Sequence, residues 1–180
     1  MDRRHLLFVG AGLALAGCDV AVPGTSATPA GAYVIRPGQA ERVEQRFLDE
    51  LNLRRGFEGL TPLAYDPALM QAASLHALDM SGQNRPWHWG SDASSPVDRV
   101  RRAGYPGRFL GQLISESFET ETMTLEAWLA DPTTRPVVLD PEARDLGFGW
   151  HQEPSGKLWW TMVTATTELP AGPVAAPAAF

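Results

Sequence analysis

The only cysteine in this chain, Cys18, lies at the end of an apolar run, so no disulfide can form within the chain and no cluster of thiolates can hold a structural zinc. Whatever folds must be held by packing. The run itself, Leu6 to Ala16, follows Arg3 and Arg4 and closes on small residues. It is too short to span a bilayer as a permanent helix and reads as a secretory signal over residues 1–17. Gly10-Ala11-Gly12 inside it imitates a dinucleotide-binding loop, but no strand precedes it and no βαβ unit follows.

The last residues of that run, Leu15-Ala16-Gly17-Cys18, resemble the lipobox of bacterial lipoproteins. The resemblance implies that Cys18 is lipidated, becomes the first mature residue and carries further acylation, palmitate included. Two or more acyl chains anchor a protein durably where one does not. The expected location is therefore a membrane, on its extracytoplasmic (in a Gram-negative cell periplasmic) side. Asp19 directly after the cysteine resembles the inner-membrane retention signal of some Gram-negative lipoproteins. Residues 18–38 are rich in Pro, Gly, Ala, Ser and Thr and read as a flexible tether. Residues 170–180 repeat that composition and read as a loose tail.

Between them, residues 39–169 are enough for one core and too few for two ordinary domains. The formal net charge is −6 and no block of Lys and Arg interrupts the acidic balance, which argues against nucleic acid as a partner. The cluster Arg99, Arg101, Arg102 is small and reads as a solvated helix face. Val43, Phe47 and Leu51 recur at one-turn spacing, predicting a helix over 39–55. Asp66-Pro67 announces a second, with Leu69, Ala72, Ala73, His76, Ala77 and Met80 on one face as far as Gly82. Ser95-Pro96 opens a short third helix that stops at Gly104. Residues 109–118 suit a strand, 122–130 a helix, and 146–151 with 158–163 an antiparallel hairpin about the turn 153–156. Helices mostly first and strands mostly last imply an α+β domain with helices packed on the sheet.

The order of short segments is similar to that of a bacterial CAP domain, the superfamily of cysteine-rich secretory, antigen 5 and pathogenesis-related (SCP-like) proteins. The residues that carry the resemblance are Leu51-Asn52-x-x-Arg55, Gly59-Leu60-x-Pro62-Leu63, Tyr65-Asp66-Pro67-Ala68-Leu69, His76-Ala77-x-Asp79-Met80, Trp87-His88, Asp98-Arg99-Val100, Ala103-Gly104-Tyr105, Ala127-Trp128-Leu129 and Leu146-Gly147-Phe148-Gly149. The resemblance implies a three-layer αβα sandwich with a central antiparallel sheet, and a cleft in which two histidines and two acidic residues converge and in some members hold a divalent metal. His88 stands at the first histidine position. Gln112 stands where a carboxylate is usual, with Glu116 as a compensating candidate. Thr134 replaces the second histidine, and Asp131, three residues after Trp128, stands where some eukaryotic members have an acid. The implied cleft is lined by Trp87, His88, Trp89, Gln112, Glu116, Asp131 and Thr134.

One imidazole with one or two carboxylates falls short of the three or four ligands that Zn²⁺ takes at about 2 Å, so no metal or other cofactor is expected. A hydrolase would have to use His88 as a base with Asp131 or Glu116. Asp131 has a second reading, as a cap of the turn after Pro132. His76, on the apolar stripe, reads as a buried core histidine, and His151 as exposed. Alternation sends Trp159 and Trp160 to opposite faces of the last strand, one of them into the core. Trp87 and Trp89 suit an aromatic rim for sugars, lipids or peptides.

Three functions compete. The leading one is a monomeric, non-enzymatic, membrane-tethered domain that binds a cell-envelope ligand, whether a lipid, a peptidoglycan fragment or a protein. The second is a cell-envelope hydrolase, metal-assisted or not, which predicts that His88 converges with Asp131 or Glu116. The third is a purely structural envelope protein with no ordered pocket.

Overall fold

The computed structural model describes residues 32–117 and 119–168; the signal segment, Cys18, most of the tether and the tail lie outside the described residues. The elements run α1 (Ala40–Phe57), β1 (Ala64–Tyr65), α2 (Pro67–Gln83), α3 (Pro96–Arg102), β2 (Arg108–Ser117), α4 (Glu121–Ala130), α5 (Arg135–Val138), β3 (Asp145–Gln152) and β4 (Leu158–Thr166). The sheet order is β1-β3-β4-β2. β2, β4 and β3 pair antiparallel, and the two-residue β1, which periodicity did not announce, adds in parallel to β3 at Asp145 and Leu146. The expected α+β sandwich is what the chain forms.

Each face of the sheet is covered by helices. On one side α1 (Val43, Phe47, Leu51), α4 (Leu125, Trp128, Leu129) and α5 (Val138) pack on Leu146, Phe148, Leu158, Trp160 and Met162. Phe47 stacks on Phe148 with ring centroids 3.7 Å apart, and Phe148 on Trp160 at 5.4 Å. On the other side α2 and α3 pack Leu69, Ala72, Ala73 and Val100 on Val163 and Ala165, with Ala77 and Met80 against Trp159. Trp159 and Trp160 do point to opposite faces, but both are fully buried, because the sheet has no solvated face. The expectation of one core tryptophan undercounts for that reason.

The helix starts are chemically explicit. Asp66 accepts hydrogen bonds from Ala68 N and Leu69 N at 2.8 and 3.0 Å with Pro67 behind it, and Ser95 and Asp98 form a reciprocal capping box on α3. α2 ends at Asn84, whose φ of +48° gives the left-handed stop. The chain before α1 is fastened from Tyr33 onward. The Tyr33 hydroxyl donates to Glu121, Arg46 donates to both, and Gln152 brackets the strap by accepting from Ile35 N and donating to Tyr33 O. Tyr33 and Ile35 pack on the core, so the fixed part of the chain begins several residues before position 39.

Candidate functional site

The site residues are delivered by α2, the loop that follows it, α3 and β2. Val163, opposite Gln112 in the sheet, belongs to the α2 side, whereas a Cβ on Gly111 would meet Val137 of α5. Alternation along β2 therefore turns Gln112 towards α2 and α3. There it is buried, and its Oε1 lies 2.9 Å from His88 Nδ1 and 3.4 Å from Arg99 Nη2. A guanidinium only donates, so the atom between them is the amide oxygen and His88 Nδ1 carries the proton. The exposed imidazole then presents the Nε2 lone pair outward.

Arg99 is not the solvated residue that the arginine cluster suggested. It donates from Nη2 to His88 O at 2.7 Å and from Nη1 to Ser94 O at 2.8 Å, and burial lowers its pKa. On a helix of two turns no periodicity separates an inward arginine from an outward one. The adjacent, buried Val100 was the only signal available. Arg101 and Arg102 are exposed, as read.

The other candidates go elsewhere. Glu116 pairs with Lys157 at 3.0 Å, beside Asn84 at the end of α2. Asp131 accepts from Thr133 N at 2.7 Å and Thr133 Oγ1 at 2.8 Å, bonds that hold its pKa down, so its carboxylate does the work of a cap. Thr134 donates to Trp128 O at 2.6 Å. Both belong to the α4 and α5 layer, and neither carboxylate shares a hydrogen bond with His88. Trp87 donates from Nε1 to Gln83 at 2.8 Å and lies under Arg85 at 3.9 Å, while Trp89 is 50% exposed.

A divalent metal does not fit these residues. The donors that meet are one imidazole and one amide, and the guanidinium of Arg99 already stands against both residues as a resident cation. Among the described residues no group of three His, Cys, Asp or Glu could hold a metal ion.

His76 lies beneath the site, fully buried on α2 as read, with Nε2 3.1 Å from Trp87 O. That carbonyl can only accept, so Nε2 carries the proton, and the buried Nδ1 has no partner among the described residues. Burial, with Arg99 from α3 and His88 from the loop adding repulsion against the attraction of Asp79 on α2, pushes its pKa down from 6.5 to about 4. The unfolded chain thus takes up the proton before the folded one does. Stability is full above the unfolded value, falls as pH drops from 6.5 towards 4, and loses ~3 kcal/mol across that window. Urea unfolding followed through that pH range should show this slope in the native chain. It should be absent from His76→Gln, and an unchanged slope in the variant would assign it to other groups.

Comparison with known proteins comes to the same place. The sequence model of the cysteine-rich secretory protein family matches residues 48–164, more than half of the chain. The uncharacterized protein YkwD of Bacillus subtilis (strain 168) is 26% identical over 123 residues, 68% of this chain and 47% of that protein, so the chain spans about half of its relative's length. Among solved structures, an outer surface protein of Borrelia burgdorferi superposes with a TM-score of 0.63 at 14% identity, over 76% of this chain and 99% of that one. An extracellular protein containing an SCP domain from Bacillus anthracis gives 0.62 at 20% identity, over 73% of this chain and 45% of that one. At such identities the structures show a shared fold alone, and the chain belongs to the cysteine-rich secretory protein (CAP) family.

Proposed function

We propose that this chain is an extracytoplasmic CAP-domain lipoprotein, tethered through an acylated Cys18, that binds a cell-envelope ligand without turning it over. The observation that carries the reading is the partner of His88. Its Nδ1 faces the amide of Gln112 instead of a carboxylate, while Asp131 and Glu116 are engaged by Thr133 and Lys157. A histidine base gains orientation and strength from a carboxylate behind it, and an amide supplies only the orientation. The similar proteins of Borrelia burgdorferi and Bacillus anthracis bear surface and extracellular descriptions, which supports the location. Among the described residues no helix is long and apolar enough to cross a membrane. The domain acts as a monomer and does not engage nucleic acid.

Two measurements test this. Cells fed labelled palmitate should label the native chain and not Cys18→Ser, and absence of label on the native chain would end the lipoprotein reading. The detergent-solubilised full chain should co-sediment with isolated bacterial envelope, and Trp89→Ala should weaken this at least tenfold. Retention that ignores Trp89 would remove the α2–α3 face as the binding surface.

A further inference from the structure

The α2–α3 face carries more than His88. Arg99 fastens both ends of the loop 88–94, donating to His88 O at 2.7 Å and to Ser94 O at 2.8 Å. Inside the loop Gly90 N donates to Ser94 O and Ala93 N to Gly90 O, both at 2.9 Å, and Ala93 is held at φ +62°. A non-glycine residue in the left-handed region persists only where its surroundings impose it, and such positions concentrate at binding sites. A Cβ on Gly90 would lie 2.6 Å from both Asp92 Oδ1 and Ser94 Oγ, so the turn is closed tightly. The consequence is that Trp89, half exposed, is presented on a rigid support.

Two cavities flank that support and meet at Ser91. One of about 410 Å³ lies over Ala72, Leu75 and Ala103 between α2 and α3, and one of about 350 Å³ lies beside Trp87 and Trp89. The first has a balanced rim. Asp92 pairs with Arg102 at 2.8 Å, Asp79 Oδ2 accepts from Ser91 N and Gln83, and Arg99 is taken up by carbonyls. Two acids and two bases leave no net charge to attract a phosphate, a polyanion or a basic peptide. An acyl chain would gain from Leu75, which is 58% exposed, but would shut Asp79 Oδ1 and the outer N–H groups of Arg102 away from water and offer them no hydrogen bond. A ligand with an apolar face and neutral hydroxyls fits both demands. One ring would lie on Trp89, and the hydroxyls of the rings that follow it past Ser91 would meet Asp79 Oδ1, the outer N–H groups of Arg102 and the Gln71 amide, for which the described residues supply no hydrogen bond.

We propose, resting on the envelope-binding reading above, that this groove takes a short run of uncharged saccharide units of an envelope glycan, one stacked on Trp89 and the next hydrogen-bonded along α2. The test titrates the full chain in detergent with the β-1,4-linked tetramer of N-acetylglucosamine by calorimetry, and in parallel measures its co-sedimentation with purified peptidoglycan sacculi. Saturable binding of the tetramer, weakened at least tenfold in Trp89→Ala and restored to within about threefold in Trp89→Tyr, is the expected result. Because Trp89 is exposed, both variants should fold, which thermal unfolding checks. Sacculi binding without tetramer binding would overturn the saccharide proposal and leave the envelope-binding reading in place. Binding of neither would overturn the proposal and remove peptidoglycan from that reading. Tetramer binding indifferent to Trp89 would overturn the assignment to this groove.

Discussion

Gly147→Val should leave little or no folded protein. Along β3 the large side chains Leu146, Phe148 and Trp150 all join the α1 side of the core. The alternate positions, Gly147 and Gly149, face α2, and a Cβ on Gly147 would overlap the carbonyl of Leu69. One on Gly149 would lie 2.5 Å from Ser74 N. Both obstacles are helix backbone, which cannot rotate away as a side chain can, so α2 would have to lift from the sheet along the Leu69, Ala72 and Ala73 contact. Overpacking a core commonly costs 1–3 kcal/mol, and a clash between backbones of two packed elements belongs at or beyond the top of that range. Against a total stability of about 5–15 kcal/mol this is a large share. Gly147→Ala should lower the urea midpoint by an amount corresponding to ~3 kcal/mol, and valine should abolish the transition. Gly82→Ala on exposed α2 surface, where nothing lies within 4 Å, should instead stabilise by ~0.5–1 kcal/mol. If both glycines of β3 tolerate alanine as well as Gly82 does, the close approach of α2 to the sheet is not needed for stability.

Those two glycines mark what the sequence could and could not disclose. Leu146-Gly147-Phe148-Gly149 is legible as a strand and as part of a family pattern, yet the reason for the glycines is a helix backbone 78 positions earlier, seen in the bond from Phe148 N to Met70 Sδ. Caps behave differently, because their partners are two or three residues away. Asp66 and Ser95 were readable for that reason. β1 was invisible because two residues carry no period, and the strap from Tyr33 was hidden because its partners, Glu121 and Gln152, sit on distant elements.

The candidate site divides along the same line. The proximity of His88 to Gln112 was available only through resemblance, since nothing local joins residues 24 positions apart. Whether Asp131 faces a cleft or caps a turn was open in the sequence, and the hydrogen bonds to Thr133 settle what its carboxylate touches. The role of Arg99 could not be read at all, because its four acceptors, Ser94 O, Ser94 Oγ, His88 O and Gln112 Oε1, are assembled only by the fold. Charged residues are expected outside, and that prior fails where carbonyls converge.

Arg55 is the stronger case of the same failure, and Arg55→Met should cost the domain about 3–5 kcal/mol. Placed among the charges of an amphipathic helix, it is instead fully buried at the end of α1. All five of its N–H groups are used. Nε donates to Thr61 O at 3.0 Å, Nη1 to Val138 O and Asp140 O at 2.8 and 3.1 Å, and Nη2 to Asp140 O and Ala143 O at 3.1 and 3.4 Å. One guanidinium therefore ties α1 to the loop before β1 and to the segment between α5 and β3. Among the described residues no carboxylate hydrogen-bonds to it, and burial lowers its pKa against the attraction of the nearby Asp140 charge, so the charge is held mainly by the carbonyls. Methionine would fill much of the volume but take a donor from four carbonyls, of which Asp140 O keeps Ala143 N and Ala143 O keeps Arg144 Nη1, and stripping one partner from buried groups is the costly way to remove a hydrogen bond. Lysine would keep the charge but offers three donors from a point where five are needed in a plane, so Arg55→Lys should recover less than half of the loss. Equilibrium urea unfolding of the three chains checks the order native, lysine, methionine. A methionine variant as stable as the native chain would mean that those carbonyls reach water or other donors when the guanidinium is gone, and that packing by α1, α4 and α5 suffices to close this end of the fold.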